Sequence, residues 1–421
     1  MDLTKLRAWW WHRQGLDGSL ATAEPAAVLL RTGWARSVGG ANPYLSLIAR
    51  AGTARAGADA AVAGLEIYEL PSARGCTYVL PSDHFGLGLQ VGKAAPEGEA
   101  RTLEKLGVTR QEIDMLCTAV LGVLDAGRPL DPAKLKDALG DQVRNLGEEG
   151  RKRGQTTTLP AALGLLQAAG EIRRVPTNGR LDQQRYAYVR WSAPTTELSD
   201  AAARTELARL YFQWTGPATL GHFRWFSAFS VANAKAAVAD LGLVDVGDGL
   251  LALPELVKEF ETYEAPMKPS YALLAGIDAL LLLRRDLPSL VDAPDAGIPI
   301  PGENQRIGNI ADLPDHAIVD RGRLVGLWQY DVEGGELVWW LFSGAKPDKS
   351  LREAIQRTQA FVRDDIGDAR SFSLDSPKSR APRLEALRSG RPLARLHGAS
   401  SVEHSLSCIL CFVPFTTSLT G

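Results

Sequence analysis

Cysteine is scarce in this chain, with four residues in 421. A small scaffold stapled by disulfides is thereby excluded, and a reducing, cytoplasmic setting is expected. Cys76 and Cys117 stand alone and read as small buried hydrophobes. Cys408 and Cys411 form a single CxxC near the end, without the second pair of a zinc site and without a βαβ context for a redox motif. Histidine is equally thin. His12, His84, His222, His316, His397 and His404 show no HExxH or other paired spacing, so no metal is expected. No GxxxxGK[ST] loop or other cofactor motif occurs, so no cofactor is expected either. Long apolar runs are missing. The longest candidate, Tyr271 to Leu283, is interrupted by Asp278 and ends at Arg284-Arg285. That falls short of the roughly 18–20 apolar residues a membrane span needs. The opening MDLTKLRAWWWHRQGL is charged and aromatic, unlike a secretory leader. A strong net charge is lacking too, at −2 overall, so any electrostatic partner must be met locally. The 45% hydrophobic and 23% charged fractions are those of a soluble globular protein, and the length suits three or four modules.

What is present is one strongly basic stretch. Residues 151–190 hold eight Arg and Lys against two acids. The pattern is a helix followed by two short strands around Thr177-Asn178-Gly179-Arg180, and Asn-Gly tolerates the positive φ of a tight hairpin. A helix leading into a basic hairpin is how a winged helix meets nucleic acid. Arg151, Lys152, Arg153, Arg173, Arg174, Arg180 and Arg185 are therefore expected to contact DNA phosphates.

The same order of helices and hairpin occurs three times. In the first unit, helices are expected at 3–14, 24–31 and 42–54, then strands at 66–70 and 76–80. The run Trp9-Trp10-Trp11 cannot lie on one helical stripe, so at least one ring should pack against another module. In the second unit, helices are expected at 109–126, 133–139 and 159–169, and the hairpin at 171–190. In the third, a helix at 201–214 stops at Gly216-Pro217, a helix-turn-helix pair follows at 219–227 and 231–241, and a short wing surrounds Gly247-Asp248-Gly249. Asn233 and Lys235 fall on its recognition helix and are further DNA-contact candidates. After Pro266 the segments at 271–283, 316–319, 323–331 and 336–342 become alternating or apolar, with a hairpin at Gly334-Gly335. They suggest a small barrel or sandwich closed by a helix at 350–363, then a loop and final strand within 364–383 and a last helix at 383–388. The fold class expected is α+β: three tandem winged-helix modules with a C-terminal β-barrel-like domain. The boundaries are 1–105, 106–195, 196–265 and 266–389, with a poorly packed tail over 390–421.

Three stretches carry a family resemblance: GPATLGHFRWFSAFSVANAKAAV (216–238), YALLAGIDALLL (271–282) and HAIVDRGRLVGLWQYD (316–331). They resemble the AlkZ/YcaQ-like winged-helix (HTH_42) DNA glycosylase superfamily, over about residues 3–388. The resemblance implies tandem winged helices around a DNA channel and hydrolysis of the N-glycosidic bond of alkylated or crosslinked purines. It also implies a Gln-Φ-Gln or Gln-Φ-Asp motif in the first module, ahead of a conspicuous Arg. The corresponding stretch here is Gly33-Trp34-Ala35-Arg36-Ser37-Val38-Gly39-Gly40, followed by Arg50. By that spacing Arg36 and Val38 take the two polar positions, and neither can accept a proton or hold a water as Asp or Gln does.

Arg36, Ser37 and Asn42 are the positional candidates for catalysis, Trp34 and Tyr44 for stacking on a displaced base, and Arg50 for contacting DNA. Gly39 and Gly40 permit a close backbone approach, either to phosphates or simply between helices. Gln329-Tyr330-Asp331 spells Gln-Φ-Asp but sits on a C-terminal strand, where a solvent-facing polar edge is the expectation. Asp278, a lone acid in an apolar run, requires a partner, with Arg284 or Arg285 the nearest cations; a general base is the alternative. Ser82-Asp83-His84 cannot meet as a triad from adjacent positions. His222 reads as a packing or phosphate-side residue. The leading expectation is a monomeric DNA-binding protein acting on duplex DNA, alkylated DNA included. A glycosylase with a divergent site and a transcription regulator are the alternatives.

Overall fold

The computed structural model describes residues 2–183 and 185–390. The tail expected beyond Gly390, with His397, His404, Cys408 and Cys411, lies outside the described residues. Helices take 49% of the described residues and strands 14%, so each sheet is small and depends on helices to cover it.

The first helix, Leu3–Arg13, starts where the Asp2 side chain accepts the Thr4 and Lys5 N–H groups. Helices Pro25–Thr32, Asn42–Ala51 and Arg55–Ala63 follow. Strands β1 (Ala35–Arg36), β2 (Ile67–Pro71) and β3 (Thr77–Pro81) form an antiparallel sheet in the order β1-β3-β2. Ala35, Val79 and Glu69 stand side by side in its register. Helices Arg55–Ala63, Phe85–Gly92 and Ala94–Glu104 were not expected. Their sequences are rich in alanine and glycine, so they carry little apolar periodicity for a reader to detect.

Helices Arg110–Leu124, Pro132–Leu139 and Leu159–Ala168 pack with the hairpin β4 (Ile172–Pro176) and β5 (Tyr186–Arg190) around a core of their own. Leu116, Val120, Leu124, Leu135, Leu163, Ile172 and Tyr188 fill it. Helices Asp200–Thr215, Leu220–Ser227 and Val231–Val238 come next, each started by a Ser or Thr cap. A two-residue ladder joins β6 (Val244–Asp245) to β7 (Leu251–Ala252), and helix Pro254–Thr262 closes the segment.

The C-terminal strands β8 (Tyr271–Leu274), β9 (His316–Asp320), β10 (Arg323–Asp331) and β11 (Glu336–Leu341) form an open antiparallel sheet, β11-β10-β9-β8. It does not close into the barrel expected from the sequence. The apolar run after Leu274 turns into a short helix at Ala279–Leu282 instead of extending the strand. Helices Lys349–Phe361 and Pro377–Ser389 lie on the sheet, so its apolar face is covered without closure. The second of these also replaces the strand expected within 364–383.

Two contacts tie distant segments together. Trp9, Trp10 and Trp11 are all buried. Trp9 Nε1 donates to the Gly216 carbonyl at 2.9 Å and Trp10 Nε1 to that of Pro217 at 3.0 Å. The second contact is Asp278, which caps the 279–282 helix by accepting the Leu280 N–H. Its partner is neither Arg284 nor Arg285 but Arg50, which donates Nη1 and Nη2 to the two carboxylate oxygens at 2.8 Å each. Arg284 lies over the Trp10 ring and Arg285 pairs with Asp312. Burial alone would raise the Asp278 carboxyl, but the charge and hydrogen bonds of Arg50 outweigh it and hold the carboxyl below the usual range. Ser46 Oγ also donates to Asp278, at 2.9 Å, and Gln14 Oε1 accepts from Arg50 Nη2 at 3.0 Å.

Removing one partner of such a pair leaves the other charge buried and alone. Asp278→Ala is expected to lower unfolding stability by about 3–5 kcal/mol, read as a fall in urea midpoint. A midpoint within error of the parent contradicts this account of the pair.

Candidate nucleic-acid interface and buried polar site

The stretch from Trp34 to Arg50 lies inside the molecule rather than on an open face. Trp34 is 1% exposed, packs against Tyr78, Trp214 and Phe226, and donates Nε1 to His84 Nδ1 at 3.1 Å. Tyr44 donates to Asp59 at 2.5 Å and accepts the Leu181 N–H at 3.0 Å. Burial pushes its hydroxyl well above the ordinary value. Neither ring presents a face on which a displaced base can stack, which corrects the expectation for both. Gly40 does approach a backbone closely, but it is the protein's own. A Cβ there would collide with the Arg370 and Ser371 carbonyls, and the Ala41 N–H donates to Arg370 O at 2.8 Å. Arg50 is sealed against Asp278 and cannot reach DNA.

Asn42, Arg36 and Ser37 belong to one buried polar chain. Asn42 Nδ2 donates to Arg36 O at 2.7 Å, and its Oδ1 lies 3.3 Å from Ser46 Oγ, whose proton goes to Asp278 and so leads on to Arg50 and Gln14. Arg36 donates to the Ser37 and Thr77 carbonyls and lies over the Tyr78 ring. Ser37 Oγ donates to Glu69 Oε1 at 2.5 Å, and Tyr186 OH lies 3.3 Å from the same oxygen. Arg174 donates to Thr77 Oγ1 at 3.0 Å and lies over the Tyr186 ring. Burial opposes the Arg174 charge, yet Glu69 and the neighbouring tyrosines raise its pKa. Glu69 was missed at the level of sequence. The signal was there, a lone acid in Ile67-Tyr68-Glu69-Leu70, the same pattern that singled out Asp278.

The basic stretch 151–190 is divided between surface and interior. Arg151, Lys152, Arg153 and Arg185 are exposed, as are Asn233 and Lys235 on helix Val231–Val238. Lys152 is shared with Glu149 at 2.9 Å. Arg173, Arg174 and Arg180 turn inward, against expectation. Arg173 donates to Tyr68 OH at 2.5 Å and lies over that ring. Arg180 forks onto Asp182 and donates to the Ile366 carbonyl at 2.7 Å. Guanidinium planes stack on aromatic rings and fill several acceptors at once, so an arginine-rich strand can serve packing as readily as phosphate binding. The hairpin end is held further where Arg370 Nη2 donates to Asp182 O at 2.8 Å.

Other sequence candidates resolve structurally. Gln329 is buried, donating Nε2 to Asp315 at 2.9 Å, and Asp331 pairs with Arg388, so they form no solvent-facing polar edge. Ser82-Asp83-His84 is a single 3-10 turn. Among the described residues no group of three or more His, Cys, Asp or Glu is placed to hold a metal. No helix among them is long and apolar enough to cross a membrane.

A family model described as DNA glycosylase AlkZ-like matches residues 35–361 of the chain. The chain belongs to the AlkZ-like DNA glycosylase family. Among solved structures it is similar to the DNA glycosylase AlkZ of Streptomyces sahachiroi, with 22% identity and a TM-score of 0.64. That likeness covers 87% of this chain and 97% of the other, and it is one of fold. No curated protein matches the chain. The AlkZ-like match opens at Ala35, on β1, so it takes in the whole polar chain from Arg36 to Arg50 as well as Glu69, Arg174 and Asp278.

His222 caps its own helix, its Nδ1 accepting the Thr219 N–H at 3.2 Å. Burial, with Arg284 nearby, lowers its pKa from 6.5 to about 4, while Asp286 opposes the shift. Neutral His222 therefore stabilises the fold above the unfolded value, and that contribution is lost as pH falls from 6.5 toward about 4. Burial lowers His84 and His316 in the same direction. The urea midpoint is expected to drop between about pH 7.5 and about pH 5, and to drop less in His222→Gln. Equal drops in parent and variant remove His222 from the acid response.

Proposed function

We propose that this protein binds duplex DNA, alkylated DNA included, as a cytoplasmic monomer. In this reading residues 1–105, 106–195 and 196–265 are three winged-helix units, and 266–389 is a C-terminal sheet unit. Membership of the AlkZ-like family supports it, as does the recurring order of helices followed by a small antiparallel hairpin or sheet. The observation that carries the interface is the set of exposed donors Arg151, Lys152, Arg153, Arg185, Asn233 and Lys235. Arg50, Arg173, Arg174 and Arg180 are left out of it, because their guanidinium groups are taken up internally.

Arg36 and Val38 occupy the positions at which the family resemblance implies Gln and Gln or Asp, side chains that can hold a water. That motif therefore does not supply chemistry in this chain. A second reading, a glycosylase with a divergent active site, is favoured by one observation: the buried carboxylate of Glu69 held against Ser37.

Binding driven by phosphate contacts releases counterions, so affinity falls steeply with salt. Fluorescence anisotropy with a duplex, taken across a salt series, measures the slope. Replacing Arg151, Arg153, Arg185 and Lys235 by Ala together is expected to lower its magnitude by roughly 3–4. Arg173→Ala and Arg180→Ala are expected to lower thermal stability and leave the slope alone. A slope unchanged in the fourfold variant takes those side chains out of the interface, and no duplex binding at low salt sinks the proposal.

A further inference from the structure

The β2–β3 hairpin, helix Ala94–Glu104 and residues 153–167 line an open cleft of about 290 Å³. Its size is at the low end of the roughly 300–1,000 Å³ usual for small-molecule sites. One of its walls carries Glu99, which is half-buried. Among the described residues no donor and no cation pairs with this carboxylate. Burial raises it, and nothing opposes the shift. A carboxylate only accepts hydrogen bonds, so one left bare in a cleft suits a ligand that brings N–H groups.

A helix glycine faces that acid. Gly164 lies in the middle of helix Leu159–Ala168. A Cβ added there would meet Pro96 Cβ at 3.5 Å and Glu99 Oε2 at 3.8 Å, which are ordinary contacts without collision. Alanine would therefore fit, and it is the better helix former. Glycine instead keeps the wall opposite Glu99 bare and lets a ligand come against the helix backbone. Gln155 lines the same cleft with no side-chain partner among the described residues, and its amide offers both a donor and an acceptor. Gln167 donates Nε2 to Leu163 O at 3.2 Å, which leaves its Oε1 to accept. Pro96 and Pro160 supply flat apolar walls. Arg153 stands exposed at the edge, without an ion pair among the described residues.

A ligand that meets all of these groups has two adjacent N–H donors, a flat body and a negative tail. Among the nucleobases guanine alone presents two such donors side by side, N1–H and the exocyclic amino group; adenine and cytosine bring only their amino group to a carboxylate. We propose that this cleft binds a free guanine nucleotide, with Glu99 accepting from the guanine edge and Arg153 meeting the phosphate. Arg153 also belongs to the DNA interface proposed above, so nucleotide and duplex compete for it. Only that competition rests on the DNA-binding reading.

The test titrates the full chain with 5′-GMP by isothermal calorimetry, with 5′-IMP, 5′-AMP and inorganic phosphate as comparisons. IMP lacks only the exocyclic amino group. GMP is expected to bind, and IMP to bind about 10-fold more weakly or worse, since a hydrogen bond to a charged acceptor is lost. Glu99→Gln is expected to abolish the preference for GMP over IMP. Gly164→Ala is expected to raise the melting temperature while lowering GMP affinity by roughly 10-fold, a pairing that a merely structural glycine does not give. In duplex anisotropy, added GMP is expected to weaken DNA binding by the parent. Equal binding of GMP, IMP and phosphate overturns the inference, and so does a preference for GMP that survives in folded Glu99→Gln. Should that variant fail to fold, Glu99→Asp carries the same test, because it withdraws the carboxylate from the cleft. GMP binding that leaves duplex affinity unchanged overturns the place given to Arg153. A single strand carrying one guanine that takes the site where free GMP does not overturns the free nucleotide as the source. GMP binding without any duplex binding removes the DNA-binding reading and leaves the nucleotide site standing.

Discussion

The buried pair between Arg50 and Asp278 is the constraint from which much of the rest follows. Two charges are taken out of water, and the forked contact of Arg50 Nη1 and Nη2 with both carboxylate oxygens offsets that cost. Gln14 and Ser46 take up further hydrogen-bonding capacity around the pair. Ser46 in turn lies against Asn42, and Asn42 fixes the Arg36 carbonyl at the end of β1. The position of Ser37 against Glu69 is thus set by a chain of polar contacts that begins in the C-terminal half. The Val38–Ala41 connection is gripped from the same side, by Arg370 and Ser373.

A second theme is the work given to arginine. Composition alone treats every arginine of the 151–190 stretch as available to phosphate. In the folded chain Arg173, Arg174 and Arg180 join their hairpin to the β1-β3-β2 sheet and to the segment around Ile366. Arg7 does the same for the first helix, reaching Ser289, Val291 and Asp292. A guanidinium has five donors and a flat face, so it can bridge backbone carbonyls and aromatic rings where a lysine cannot. Of the stretch, Arg151, Lys152, Arg153 and Arg185 remain exposed.

Much of this was legible in the sequence where one residue type makes a demand it cannot meet locally. Of three consecutive tryptophans at least one had to pack beyond its own helix, and Trp9 and Trp10 do, reaching Gly216 and Pro217. Asp278 had to be paired, yet its partner lies 228 residues away and sequence proximity pointed to Arg284 and Arg285 instead. Glu69 makes the same demand as Asp278, but on a strand whose neighbours Ile67, Tyr68 and Leu70 carry the stronger apolar signal. The open C-terminal sheet was hidden for another reason. Alternating strands announce a sheet but not whether its edges meet, and that depends on the helices that cover it. The alanine-rich helices of the first hundred residues were invisible because alanine packs closely without marking a stripe.

Inward-facing arginines and the buried polar chain together make the β4–β5 hairpin part of the same body as the β1-β3-β2 sheet, rather than a wing free to move. Native-state hydrogen exchange tests this most directly. Amides of Ile172–Val175 and Tyr186–Arg190 are expected to open with the same free energy as those of Ile67–Leu70 and Thr77–Leu80. A hairpin that exchanges through a separate opening of much lower free energy contradicts the account.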